Sequence, residues 1–401
     1  MKKARRVVIT GLGVVSSIGI GRAAFAAALR NGQSGCTPIS RFNSAGLPFR
    51  LAHEIKNFEP SANKNSDRVI EYALFAAHEA VEDAGIRLSD FDPFRAAVSF
   101  SSSKGGVETL VDLLETKNET YFASRAKNKF QNIFPSQPAM RVAEKYGIRG
   151  PVKSWIGACA TGNLAIADAF YLLSEGYADT AISGASDASI VPFFLAGYHQ
   201  MKVLTGDRMR PFDQSRTGFL VGEGAAALWM ETLDSAKARG AKIYGEIAAA
   251  GMAQETSHPL FFNDDEGTLS WLMRQTVEKS GQQLSDMDYI NLHGTATLHG
   301  DLYETREIKK TFGSHAYALS TSTIKPMVGH MLGASGAIEA VATLLALDGG
   351  FIPPTLGLHK PDPECDLNYT ANQAETRKIR TALSISMGFG GQAAAILMRA
   401  A

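Results

Sequence analysis

Short apolar runs bounded by glycine and small polar residues alternate along this chain with longer stretches whose apolar positions recur every three or four residues. The first kind reads as buried strand and the second as helix packed on one face. Val7-Val8-Ile9 opens a buried parallel strand that runs into a glycine-rich turn within Arg6 to Ile18. Arg22 to Arg30 and Asp67 to Ala84 carry helical spacing. In the second of these Val69, Tyr72, Ala73, Ala76, Ala80 and Val81 share a face, and Gly85 ends the helix. Ala96 to Phe100 is a strand, and Asp112 to Ile133 is polar, a surface excursion of loop and helix. After Gly150-Pro151 a helix carries Leu164, Ile166, Ala167, Phe170 and Leu173. Strands at Thr180 to Gly184 and Ala225 to Glu231 and a helix at Leu233 to Arg239 follow.

The second half repeats the plan. Ile243 to Ile247 and Tyr289 to Leu292 read as strands, Asp301 to Phe312 as helix, and Leu319 to Thr323 as strand. Gly333-Ala334-Ser335-Gly336 heads a helix with Ile338, Val341, Leu344, Leu345 and Leu347. It echoes Cys159-Ala160-Thr161-Gly162 at the head of the earlier helix, a weak internal repeat. Ala382 to Ser386 and Ala393 to Met398 form a hairpin around Met387-Gly388-Phe389-Gly390-Gly391-Gln392. Alternating strands and helices in both halves predict α/β layers with parallel pairing.

The 401 residues are enough for two or three domains or one duplicated fold. Lys+Arg and Asp+Glu balance at 40 each, so no global field favours nucleic acid or membrane. Three cysteines, Cys36, Cys159 and Cys365, do not make a disulfide framework and fit a reducing, cytoplasmic compartment. Lys2, Lys3, Arg5 and Arg6 before an apolar run, with Ala24-Phe25-Ala26 beyond, imitate a signal peptide. Gly11, Gly13, Gly19 and Gly21 break that run and favour a folded strand. No later window supplies the ~20 apolar residues of a membrane span. Gly11-Leu12-Gly13 lacks the third glycine and the later acid of a dinucleotide fingerprint.

Trp155 to Asn163 places Cys159 between a strand end and a helix start, among Gly157, Ala158, Ala160 and Gly162. Unpaired N–H groups and the dipole at a helix N-terminus favour a thiolate, so the thiol is expected to ionise more easily than a free one. On these residues alone, a nucleophile and a small buried side chain are both open. His293 and His330 follow strand-like segments in similar glycine-rich settings, where α/β folds bind ligands. His299 reads as a surface or packing residue.

Gly157-Ala158-Cys159-Ala160-Thr161-Gly162, His293-Gly294-Thr295-Ala296-Thr297 with Gly300-Asp301, and Lys325 with Gly329-His330 and Gly333-Ala334 stand in the order found in the β-ketoacyl-acyl carrier protein synthases. The chain resembles these condensing enzymes of the thiolase superfamily over nearly its whole length, and its Cys-His-His set is similar to that of the elongating members. The resemblance implies a five-layer αβαβα thiolase-like fold of two pseudo-symmetric halves, residues 1–241 with the nucleophile and 242–401 with both histidines. It implies acyl transfer to Cys159 and decarboxylative condensation with malonyl-carrier protein, His293 and His330 holding the enolate oxygen. It gives Cys159 and Phe389 the backbone oxyanion donors, with Phe389 as a gate beside the nucleophile. Lys325 would pair with Glu339. Asp301 and Glu304 would be supporting acids, and Thr295 and Thr297 would bind the pantetheine arm. Arg210, Lys64 and Arg68 are candidates for steering an acidic carrier protein. No metal or cofactor is implied, because substrates ride on the carrier's phosphopantetheine. A homodimer is implied, with a heterodimer of related subunits as the alternative, in fatty acid or polyketide-type synthesis.

Several positions depart from the family pattern. Met387 replaces a common Phe, Gln392 a usual Thr, and Leu298 a usual Pro. Lys104 lies in the loop that in relatives approaches the acyl pocket, where small or apolar residues are common; a short, polar or unusual acyl chain is expected. A thiolase would need a second cysteine in the last glycine loop, and Cys365 is misplaced for that role. A non-catalytic partner subunit would lack Cys159, and a cysteine hydrolase would leave one histidine without a role.

Overall fold

The computed structural model describes residues 4–59, 66–115 and 129–401. Among the described residues the main sheet has eleven strands. Across it run Ser320–Ser322, Tyr289–Asn291, Thr381–Gly388, Gln392–Arg399, Gly245–Gln254, Val7–Ser16, Gly224–Thr232, Thr180–Asp187, Ala96–Ser101 and Val152–Lys153, with Gly19–Ile20 paired to Val7–Ser16. The helices Arg68–Asp83 and Gln137–Tyr146 cover the N-terminal strands from outside. Thr268–Lys279 and, packed against it, Leu298–Phe312 form the opposite outer layer. Thr161–Ser174 and Ser335–Gly349 lie between, touching strands of both halves and each other. The N-terminal and C-terminal parts of the sheet thus pack on the inner helices as two β layers, which with the three helix layers gives the expected five.

Strand direction corrects the sequence reading. Ala96–Ser101 pairs in parallel with its neighbours, and so does Tyr289–Asn291. The strands between them are antiparallel. Periodicity records which faces are buried, not strand direction. A hairpin such as Thr381–Gly388 with Gln392–Arg399 needs only a short loop, whereas parallel strands need a crossover.

The opening strand is also antiparallel, and it runs through its glycines without turning. Gly11 and Gly13 let a helix approach. A Cβ on either would come within 2.0 Å or 1.9 Å of the Ala80 or Ala76 carbonyl oxygen on Arg68–Asp83. That helix starts where Asp67 caps the Val69 N–H.

The two inner helices begin alike. Each follows a 3₁₀ turn, Ala158–Ala160 or Leu332–Ala334, whose first residue has positive φ: Ala158 at 47° and Leu332 at 52°. The heads meet through glycine. A Cβ on Gly162 would lie 2.4 Å from the Ala337 nitrogen, and one on Gly336 would lie 2.6 Å from the Asn163 nitrogen. The internal repeat is therefore a packing symmetry in which Gly333 takes the place of Cys159. Leu332–Gly349 has the length and composition to cross a bilayer, but 89% of it is buried inside the fold, as in the core helix of a globular protein.

Candidate active site

Cys159 sits in the turn ahead of its helix, which Thr161 fixes by accepting the Gly157 N–H at 2.9 Å and donating to the Ala158 carbonyl at 2.7 Å. Asn163 ties the helix to the C-terminal hairpin, donating to Ser386 Oγ at 3.0 Å. Val328, Gly329 and His330 cross over to the other half. There the His330 N–H bonds to the Leu220 carbonyl, and its carbonyl accepts from Gly222.

These supports bring the three predicted groups together. Cys159 Sγ lies 3.1 Å from His330 Nε2. The His293 and His330 rings stand edge to face, centroids 5.6 Å apart. His330 Nδ1 lies 2.9 Å from Ser335 Oγ, whereas the buried His293 Nδ1 has no partner among the described residues. Burial, reinforced by the Lys325 charge, holds both imidazoles neutral, well below their ordinary range.

The thiol corrects an expectation. Burial pushes Cys159 up to about 11, although Lys104, Lys325 and a hydrogen bond from the Phe389 N–H pull the other way. The resting pair is thus a thiol beside a neutral imidazole. Desolvation outweighs whatever the helix N-terminus contributes.

The surrounding residues divide by contact. Lys325 is buried in a close ion pair with Glu339. Glu304 accepts the backbone N–H groups of His293 and Gly294 at 2.6 Å and 2.9 Å, so it fixes the His293 loop directly. Asp301 instead accepts the Phe212 N–H at 2.7 Å and faces Arg216. Burial raises Asp301 to about 7 and Glu304 to about 8. Thr295 and Thr297 line the cavity that ends at Cys159, their hydroxyls 3.1 Å apart.

That cavity holds about 330 Å³ and also exposes His293, His330, Met387 and Phe389. Met387 therefore shares the cavity with the nucleophile, whereas Lys104 does not line it. Arg210 lies on a different concavity and pairs with Asp207 at 2.6 Å; Arg68 is paired with Glu108 at 3.4 Å. Lys64 lies outside the described residues. Gln392 bonds Gln254 at the end of the hairpin. His299 is exposed, as expected, at the cavity rim against Phe261.

The sequence reading missed Lys202 and the rim segment Leu260-Phe261-Phe262, which also line the cavity. Three apolar residues between His258-Pro259 and the polar run Asn263 to Glu266 were the available signal. Gly390 donates to the Pro259 carbonyl at 2.7 Å, linking that rim to the loop of Phe389.

The family models for the β-ketoacyl synthase N-terminal and C-terminal domains match residues 4–236 and 244–359. The chain belongs to the β-ketoacyl synthase family. It is 38% identical to a putative polyketide beta-ketoacyl synthase 1 of Streptomyces cyaneus, over 98% of each chain. It is 36% identical to 3-oxoacyl-[acyl-carrier-protein] synthase 2 of Coxiella burnetii, over 96% of each. Among solved structures, a ketosynthase bound to a hexaketide, in complex with its type II polyketide acyl-carrier protein, superposes with a TM-score of 0.93. It shares 30% identity, covering 99% of this chain and 100% of that one. The ishigamide ketosynthase/chain length factor gives 0.92 at 32% identity, with the same coverage. These β-ketoacyl synthases are condensing enzymes, as the sequence reading expected.

Proposed function

We propose that this β-ketoacyl synthase elongates an acyl chain on Cys159 with a malonyl unit, both delivered by acyl carrier protein. The observation that carries the reading is the 3.1 Å contact between Cys159 Sγ and His330 Nε2, with His293 beside them at the end of one cavity. In the first half-reaction the thiol gives its proton to His330 as sulfur attacks the acyl thioester. The oxyanion is held by the N–H groups of Cys159 and Phe389, and the departing pantetheine thiolate takes the proton. Malonyl-carrier protein then enters along Thr295 and Thr297. Its carboxylate leaves as carbon dioxide, and the bond's electron pair becomes an enolate whose oxygen accepts hydrogen bonds from His293 and His330. His330 donates in the tautomer with its proton on Nε2, Nδ1 then accepting from the Ser335 hydroxyl. The enolate carbon attacks the acyl-Cys159 carbonyl and expels the sulfur, giving a 3-oxoacyl thioester on the carrier.

Lys325 and Glu339 order this site by their pairing, and Asp301 and Glu304 by fixing the Phe212 and His293 backbones. In the same reading Arg210, Arg68 and Lys64 steer the acidic carrier, no cofactor is needed, and the enzyme works in the cytoplasm. A second subunit, a copy or a related chain, belongs to this reading too. The sheet ends on the two-residue exposed strand Val152–Lys153, near the exposed apolar Ile156 at the head of the nucleophile turn. The test is a pair of assays. Iodoacetamide should label Cys159, and the Cys159→Gln protein should still release carbon dioxide from malonyl-carrier protein. A folded variant that releases none overturns the reading.

A further inference from the structure

Lys104 is a cation without an obvious task. Its Nζ lies 2.9 Å from Ser103 Oγ and 5.5 Å and 5.9 Å from the Phe194 and Tyr198 ring centroids. The Tyr198 side chain favours the charged form of Lys104. Two chains of contact tie it to the reacting groups. Tyr198 packs on Phe219 at 5.8 Å, and Phe219 packs edge-on against His330 at 4.8 Å. Ser103 donates to Asp187 at 2.7 Å, and Asp187 accepts the Gly333 N–H at 2.7 Å, in the turn just after His330. Although burial opposes its charge, Asp187 and Tyr198 more than offset that cost and keep it protonated.

Lys104, Phe194 and Tyr198 do not line the cavity that leads past Thr295 and Thr297 to the thiol. They stand behind its Phe219–His330 wall. When a second carrier arm fills that cavity, an acyl chain already on Cys159 has to leave it, and the Lys104 side is where a charged group waits. Of the other cations near the site, Lys325 is consumed by Glu339 and Lys202 is exposed on the cavity that admits the carrier arm. An ammonium carries three N–H donors. Among the described residues Ser103 supplies one hydrogen-bond acceptor, and the Phe194 and Tyr198 rings flank the ammonium. A plain alkyl chain laid over the remaining N–H groups would strand a donor, whereas a chain bearing oxygen would satisfy it.

We infer that Lys104 makes the enzyme select acyl chains with an oxygen acceptor, oxo or hydroxy, over saturated alkyl chains of equal length. This rests on the condensing reading above. The test loads Cys159 from octanoyl, 3-oxo-, 5-oxo- and 7-oxooctanoyl pantetheine thioesters, read by intact-protein mass spectrometry. The wild-type protein should load at least one oxo chain roughly ten- to a hundredfold faster than octanoyl, the worth of one hydrogen bond to a charged group. Lys104→Met should collapse that ratio towards one, mainly by losing the oxo chain, and Lys104→Arg should keep most of it. Octanoyl loading as fast as every oxo chain in the wild type overturns the inference without any variant. So does an unchanged ratio in Lys104→Met. If no thioester loads Cys159 and Cys159→Gln releases no carbon dioxide, the condensing reading itself falls and takes this inference with it.

Discussion

Replacing the two histidines one at a time should separate the half-reactions. The thiol, pushed up to about 11 by burial, would be ionised in only about one molecule in a thousand at pH 8 without help. His330 Nε2, 3.1 Å away, removes that handicap by taking the proton during attack. His330→Ala should therefore slow acylation of Cys159 by ~10²–10⁴-fold, the usual worth of a placed base. His293 has its ring 5.6 Å from that of His330 and no bond to the sulfur. His293→Ala should leave acylation within about threefold, because the base is still in place. Decarboxylation should not discriminate. In a Cys159→Gln background, either histidine variant loses one enolate donor and slows by ~10²–10³-fold. Acylation is followed by rapid quench and intact mass, decarboxylation by carbon dioxide release. Equal damage to acylation from both histidine variants would refute the assignment of the base to His330.

Lys325→Met leaves Glu339 buried without its partner and should cost about 3–5 kcal/mol in urea unfolding, most of it regained by Lys325→Met with Glu339→Leu. Gly162→Ala drives a methyl to 2.4 Å from the Ala337 nitrogen, so it should lower stability by about 1–3 kcal/mol and move His330 away from Cys159, visible as slower iodoacetamide labelling. Burial holds His53 at about 4, against a hydrogen bond to the Met327 carbonyl that acts to raise it. A histidine depressed on folding adds stability that is complete above the unfolded value of ~6.5 and is lost as pH falls towards 4, about 3 kcal/mol in all. His293 and His330 act in the same sense. Urea midpoints should accordingly fall between pH 7 and pH 4.5, less steeply in His53→Gln.

The reacting residues were legible because each sits beside glycine or alanine at a break in periodicity, which is where this fold can bring backbone close to a ligand. The helix at Arg68–Asp83 was legible to within a residue because its apolar face and its Gly85 stop agree. The antiparallel course of the first strand was not. Gly11 and Gly13 advertise a turn to any local reading, and only the carbonyls of Ala76 and Ala80 explain them as a packing seam. The thiol's high affinity for its proton was likewise hidden, since desolvation belongs to the whole core rather than to the helix head. The rim at Leu260 to Phe262 is shaped by its bond to Gly390, a long-range contact that no local pattern encodes.

The crossing of the two inner helices at Gly162 and Gly336 works as a machinist's jig. It sets the spacing between sulfur and imidazole from the molecule's interior, while Thr295, Thr297, Lys104 and Tyr198, which meet the acyl chain and the carrier arm in the reading above, belong to other segments. Such a layout lets a lineage rewrite what it accepts, one residue at a time, with no retuning of the reaction it performs.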